Sequence, residues 1–221
     1  MICFLISCIV LTMILFYVYV WKNIKVSEKD LVNLQIQMDN ISICRDMLNI
    51  IGNNHTKIEY NKDEKSNLSY YNHAKDVIIL KANNSESSRF VHIAHECIHT
   101  IQNKEFLRAN KFFSNLQIIY FLISLICIIN SKQNQLLLIA IQLVILLGTL
   151  FVKVVIEGDA SYRSIDLAET YLMTKITKQE LESYIKEIRR IIYNLMPVYY
   201  INFFSQGMLM IIINIIVTLI M

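Results

Sequence analysis

Residues 95–99 read His-Glu-Cys-Ile-His, an H-E-x-x-H pattern. On a helix, His95 and His99 lie one turn apart on one face, so both imidazoles can reach a single metal ion while Glu96 reaches a water beside it. Two histidines and a glutamate so arranged are the ligand pair and general base of zinc-dependent hydrolysis. Catalytic zinc takes a third protein ligand and leaves a fourth position for water. The rest of the chain must therefore hold the motif rigidly and fold another donor back onto it.

Phe90, Ile93 or Ala94, Cys97 and Ile101 recur at helical spacing around the motif, and Asn83-Asn84-Ser85 offers capping residues just upstream. Ile41–Ile51 forms a short amphipathic helix with Ile41, Cys44, Met47, Leu48 and Ile51 on one side and Gly52 as its stop. Lys57–Tyr60 and Asp76–Lys81 read as two short strands separated by a polar stretch around Asn61 to Tyr71. The expectation is a small hairpin leading into the motif helix.

The 221 residues are 55% hydrophobic with a mean hydropathy of +0.43, too apolar for an ordinary soluble domain, yet 18% are charged and must meet water. Four apolar runs account for this. Residues 1–21 carry no charge and end in Tyr17, Tyr19 and Trp21 ahead of Lys22, Lys25 and Lys29, an N-terminal anchor. Residues 112–156 form a membrane hairpin, with a polar turn at Asn130 to Gln135 and Lys153 near enough to an end to snorkel. Residues 198–221 are the fourth span. Between them lie two aqueous segments, 22–111 and 157–197. The second opens a helix at Glu157 and starts another at the capping box Thr177-Lys-Gln-Glu180, which Pro197 is expected to stop.

Four crossings put both aqueous segments on the same side. Of the 21 Lys and Arg, all but Lys132 and Lys153 fall in them, which assigns that side to the cytoplasm. The chain thus reads as a multi-pass membrane protein whose lipid contact is extensive, with a site at the cytoplasmic face. Net charge is +3 with no basic block, so a nucleic-acid partner has no support. Five cysteines without paired spacing give no disulfide framework. Glu157, at the start of a helix on the histidine side, is the foremost candidate for the third ligand, with Asp159 as its rival.

Ala94-His-Glu-Cys-Ile-His-Thr-Ile-Gln102 resembles the A-H-E-x-x-H-x-I-Q segment of the YugP-like membrane zinc metallopeptidases, which share their pattern with the HtpX-type gluzincins. Glu157-Gly-Asp-Ala-Ser161 is similar to that family's E-x-D-A-S motif, and Ser69 to Leu80 is similar to its D-H-Y-D-P-x-x-K-x-V-x-L stretch. The resemblance covers most of the chain, with the motifs in the family's order. It implies a mainly α membrane protein of four transmembrane helices with a small zincin-like α+β part, built from a short β-hairpin and the H-E-x-x-H helix. It further implies Zn2+ held by His95, His99 and Glu157, Glu96 as catalytic base, and a polypeptide substrate paired with an edge strand near Val77 to Leu80. The chain departs from the family at Ile98, where the motif has glycine, and in the upstream stretch, where only Tyr71 of D-H-Y-D-P is kept.

The remaining polar residues have supporting roles at most. Asp159 and Ser161 could orient Glu157 or His99, and Gln102 could bond a ligand or cap the helix face. His92 could face the site or the solvent. Tyr71 could stabilise an oxyanion or pack on the helix, and His55 and His73 read as solvated. Two functions follow: a membrane zinc endopeptidase, or a non-catalytic scaffold or binding protein of the same fold braced by zinc. An intact Glu96 favours the first, because a structural site needs no base beside its histidines.

Overall fold

The structure is a computed structural model that describes residues 38–61, 69–81, 86–130 and 134–220, together with Val18, Leu34 and Ile36. The N-terminal span expected over residues 1–21 lies, Val18 apart, outside the described residues, as do the capping candidates at 83–85. Among the described residues the elements run in the order α1 (Asn40–Ile50), β1 (Lys57–Tyr60), β2 (Tyr70–Asn72), β3 (Val77–Leu80), α2 (Arg89–Ile101), α3 (Lys104–Asn130), α4 (Gln135–Leu172) and α5 (Lys178–Ile220). The chain is mainly helical with one small sheet, and it divides into two compact units. One takes in Glu105–Val155 and Leu195–Met221, the other Ile24–Lys104 and Ile156–Asn194.

In the second unit each element has a local cause. Asp39 caps α1 by accepting from Ser42 N at 2.9 Å, and Gly52 follows the helix with a φ of +75°, a left-handed conformation that glycine adopts without strain. Ile43, Cys44, Met47 and Leu48 are fully buried on one side of α1. Phe90, Ile93, Ala94 and Cys97 are buried on α2, and the two helices pack together, with the Cys44 and Cys97 sulfurs 3.6 Å apart. Ser88 precedes α2 without a side-chain cap, and the start of that helix is fastened through Arg89 instead. Its guanidinium donates to the carbonyls of Met38 and Ile36, and Phe90 behind it packs on the rings of Tyr171 and Tyr184.

The sheet differs from the expected hairpin of two strands. Its order is β1-β3-β2, with β1 parallel to β3 and β2 antiparallel to it. The tight turn lies between β2 and β3, closed by Asp76 at a φ of +50°, so the true hairpin uses a strand inside the stretch read as a polar separator. β3 is the central strand. Its Val77, Ile78 and Leu80 are buried, and both of its edges are taken, so the expectation that a substrate strand adds to Val77–Leu80 is corrected: among the described residues the outer strands of the sheet are β1 and β2.

Helices α3, α4 and α5 are long and apolar enough to cross a membrane, as expected of a membrane protein. Only 17–28% of each apolar window is buried. The apolar side chains therefore point outward, which suits a lipid solvent and not the core of a soluble bundle. Two expected breaks do not occur. Glu157 lies in the body of α4, which contains no proline and whose two glycines, Gly148 and Gly158, do not stop a helix flanked by long apolar turns. Pro197 sits inside α5, a helix of 43 residues that continues past it to Ile220. Proline removes one ladder bond, and in apolar surroundings the helix remains the only way to satisfy its neighbours' backbone groups. The capping box at its start is formed: Thr177 N donates to Glu180 Oε2 at 3.0 Å and Glu180 N to Thr177 Oγ1 at 3.4 Å.

Within the first unit the three helices share a polar knot. Asn214 of α5 donates to Ser124 Oγ of α3 at 2.8 Å and to Gln142 Oε1 of α4 at 2.7 Å, and all three residues are fully buried. Lys153 donates to Tyr199 Oη at 3.1 Å and lies over the Tyr199 and Phe203 rings, so its charge is held by aromatic faces as a snorkelling lysine's would be.

Candidate metal centre

Helix α2 presents His95 and His99 one turn apart, and α4 brings Glu157 against both. The two Nε2 atoms are 3.0 Å apart, and Glu157 Oε2 lies 3.4 Å from His95 Nε2 and 3.8 Å from His99 Nε2. The three donor atoms all fall within 4.8 Å of one another, close enough to hold one metal ion. Zinc fits the spacing: a tetrahedral ion with ligands at about 2.0–2.1 Å sets its donors about 3.3 Å apart. The side chains are 21% (His95), 11% (His99) and 21% (Glu157) exposed, so the centre is walled on most sides yet open to water.

The hydrogen bonds behind the imidazoles decide where their lone pairs point. Gln102 Nε2 donates to Ile156 O and to Asp159 Oδ2, both at 2.8 Å, and since both can only accept, the amide must present its Oε1 to His99. His99 Nδ1 therefore donates to that oxygen at 2.7 Å, leaving the Nε2 lone pair facing Glu157 and His95. Behind His95 stands Ser161, its Oγ 3.4 Å from Nδ1. The Ser161 hydroxyl can donate or accept, so the His99 Nε2 lone pair, the His95 Nε2 edge and the Glu157 carboxylate converge on one point. Such a point requires a positive charge, from a proton or from a metal.

The titration of the residues follows that logic. Burial works to lower His95, but the hydrogen bond to Glu157 and the nearby carboxylates outweigh it and raise it above the ordinary histidine value. His99 is lowered, first by burial and then by the neighbouring His95. Glu96 is pushed up to about 7 by burial, against the pull of His95 and of a hydrogen bond from Tyr71. A divalent cation in the centre acts on Glu96 in the opposite direction.

Glu96 is held by the sheet. Its Oε2 accepts the Tyr71 backbone N–H at 2.7 Å, while the Tyr71 hydroxyl turns away to donate to Asp76 Oδ1 at 2.9 Å. Sequence reading assigned Tyr71 through its side chain, but the contact to the centre is made by its backbone, which no residue type announces. Asp159, the rival third ligand, instead accepts from Gln102 and pairs with Arg163 at 3.4 Å. His92 is exposed one turn before His95, and His55 reaches Asp76 at 3.7 Å from a solvated position.

Compared with known proteins, the chain matches no family model, no curated protein and no solved structure. What it can do must be argued from the centre itself. Two imidazoles and one carboxylate form a donor set that could hold a divalent transition-metal ion, and Glu96 adds a carboxyl that stands beside the donors without joining them.

Proposed function

We propose that this chain is a membrane-embedded zinc metalloendopeptidase of the YugP-like kind, with four spans and a small zincin-like catalytic part. The observation that carries the reading is the convergence of His95, His99 and Glu157 beside a half-buried Glu96 that is not one of the three converging donors. His95, His99 and Glu157 would hold a zinc ion, which when bound would supply a water whose pKa is lowered toward ~7 and a Lewis acid for a carbonyl oxygen. Glu96 takes the proton from that water and returns it to the leaving amine; a carboxyl raised by burial is suited to both steps. Ser161 and Gln102 fix the rings so that the lone pairs need no reorientation.

The outer edge of β2, where the Tyr71 N–H meets Glu96, is the approach for the substrate. In an antiparallel ladder, residues alternate between bonding the partner strand and facing away from it, and the Tyr71 N–H faces away from β3 to meet Glu96. An extended peptide added along that edge brings its carbonyl next to the base, with affinity from main-chain bonds and little demand on sequence. The Lys and Arg distribution supports a cytoplasmic position for this face, where membrane-proximal protein segments would be the substrates within reach.

The test is zinc content and casein cleavage of the detergent-purified protein beside Glu96→Gln and Glu157→Ala. The expected result is about one zinc per wild-type chain. Glu96→Gln keeps it while cleavage falls by about 10²–10⁴-fold, and Glu157→Ala loses it. Zinc binding with cleavage untouched by Glu96→Gln, or absent altogether, favours the zinc-braced scaffold; no zinc in the wild type overturns the centre.

A further inference from the structure

Helices α4 and α5 form a groove in the second unit, lined by Glu169 from α4 and by Glu182, Ile185, Lys186, Arg189, Arg190 and Tyr193 from α5. Its two ends differ in charge. At one end Glu182 is paired with Lys178 at 3.9 Å. At the other, Lys186 and Arg189 are exposed, and neither makes a hydrogen bond or ion pair with any described residue, while Arg190 pairs with Glu187 at 3.5 Å. Lys186, Arg189, Arg190 and Tyr193 fall within a helical arc of about 100°, so they form one stripe. The stripe ends in an aromatic pair: the Tyr193 and Tyr162 rings are 5.6 Å apart, and both side chains are about half exposed.

The position of the stripe in the sequence says what it meets. After Tyr193 and Asn194 the chain becomes apolar and stays so to its end apart from scattered amides and hydroxyls, within a single unbroken helix. At about 1.5 Å of rise per residue, Arg189 lies about 14 Å before Val198, within reach of a headgroup layer for a side chain as long as arginine's, and Tyr193 lies nearer still. Half-exposed tyrosines at that level are the pattern of a membrane interface.

We propose that the Lys186–Arg189–Tyr193 end of this groove holds the phosphate of an anionic phospholipid, with Arg189 supplying a planar fork, Lys186 a point charge and the tyrosine pair a platform for the glycerol region. Free cations next to an apolar helix are complementary to a lipid that presents a negative headgroup above acyl chains. The carboxylates at the far end, Glu169 and Glu182, orient the negative headgroup toward the basic end. The inference rests on the chain spanning a bilayer and is independent of peptidase activity.

The experiment is native mass spectrometry of the full-length protein released from detergent with phosphatidylglycerol, phosphatidylcholine or glycerol phosphate as the added probe. Wild type is expected to retain phosphatidylglycerol in preference to phosphatidylcholine and to show no glycerol phosphate adduct. Lys186→Gln and Arg189→Gln should each weaken phosphatidylglycerol retention by about fivefold. Lys178→Gln, which removes a lysine already paired with Glu182, should not, and Arg189→Lys should recover part of the loss. Equal retention of both lipids, or no response to the two glutamine substitutions, overturns the proposal. A glycerol phosphate adduct as stable as the lipid's overturns it in favour of a soluble phosphate ligand. Because the readout is a lipid mass, it stands or falls separately from zinc content and cleavage.

Discussion

Each unit of the molecule buries a cluster of polar side chains, and the two clusters are built on opposite plans. In the apolar unit, Asn214, Gln142 and Ser124 are uncharged, cannot titrate, and are tied to one another through the Asn214 amide N–H groups, while Gln142 Nε2 and Asn214 Oδ1 have no partner among the described residues. In the other, His95, His99 and Glu157 aim acceptors at one another, with their outer atoms held by Gln102 and Ser161. The first arrangement pairs donors with acceptors across three helices and serves to join them. The second is incomplete by construction, since converging lone pairs repel until a cation stands between them. The contrast teaches that burial alone does not mark function; what marks it is polar atoms supported from behind and unsatisfied in front.

Acidification should separate the two clusters most sharply. His95 is raised, so its proton is already held at pH values above those at which an ordinary histidine charges. The metal and that proton compete for the same nitrogen. The sign follows: metal affinity is full at high pH and declines as pH falls through the raised value of His95, earlier than an unperturbed imidazole would allow. Zinc retained after dialysis across a pH series should therefore fall away toward acid, to complete loss. The Asn214 knot holds no titratable group, so unfolding of the apolar helices should not follow the same curve. Zinc retained unchanged into the acid range would remove His95 from the ligand set.

A smaller effect tests the support behind the ligands. Gln102→Leu removes no donor atom from the centre but frees His99 to rotate and unties α2 from Ile156 and Asp159 of α4. Zinc affinity, measured by competition with a chromophoric chelator, should drop by about 10–100-fold. An unchanged affinity would show that packing alone orients His99 and that the amide is incidental.

Much of this was legible in the sequence, and the gaps have physical causes. The motif helix could be read because its apolar spacing and its ligand spacing share the same 3.6-residue period, and Phe90, Ala94 and Cys97 are indeed buried while His95 and Glu96 keep access to solvent. The capping box at Thr177 was visible because its signal is local. Strand β2 was hidden because three residues, Tyr70 to Asn72, carry no measurable alternation, and the parallel pairing of β1 with β3 is a long-range choice no short pattern encodes. Helix ends were misplaced at Glu157 and Pro197 because both breaks were inferred from residue type, whereas continuity is set by the apolar surroundings of the flanking turns. The role of Gln102 was left open until the acceptors on either side of its amide fixed which way it faces.

The smallest predicted effect belongs to the knot in the apolar unit. Asn214→Leu deletes two buried interhelical hydrogen bonds, yet it also deletes Asn214 Oδ1, an acceptor without a partner among the described residues. Ser124 keeps its own bond to Phe121 O at 2.9 Å, so the main loss falls on Gln142, both of whose amide atoms are then unsatisfied. Interhelical bonds of this kind contribute about 0.6–1.7 kcal/mol, and the deleted orphan offsets part of that, so the variant should lose about 1 kcal/mol on unfolding in mixed micelles. Adding Gln142→Leu removes the stranded amide and should recover most of the loss, because replacing both partners by apolar groups of similar size approaches neutrality. Zinc affinity should not move in either variant. If Asn214→Leu alone weakened zinc binding, the two clusters would be energetically coupled and the contrast between a closed knot and an open centre would fail.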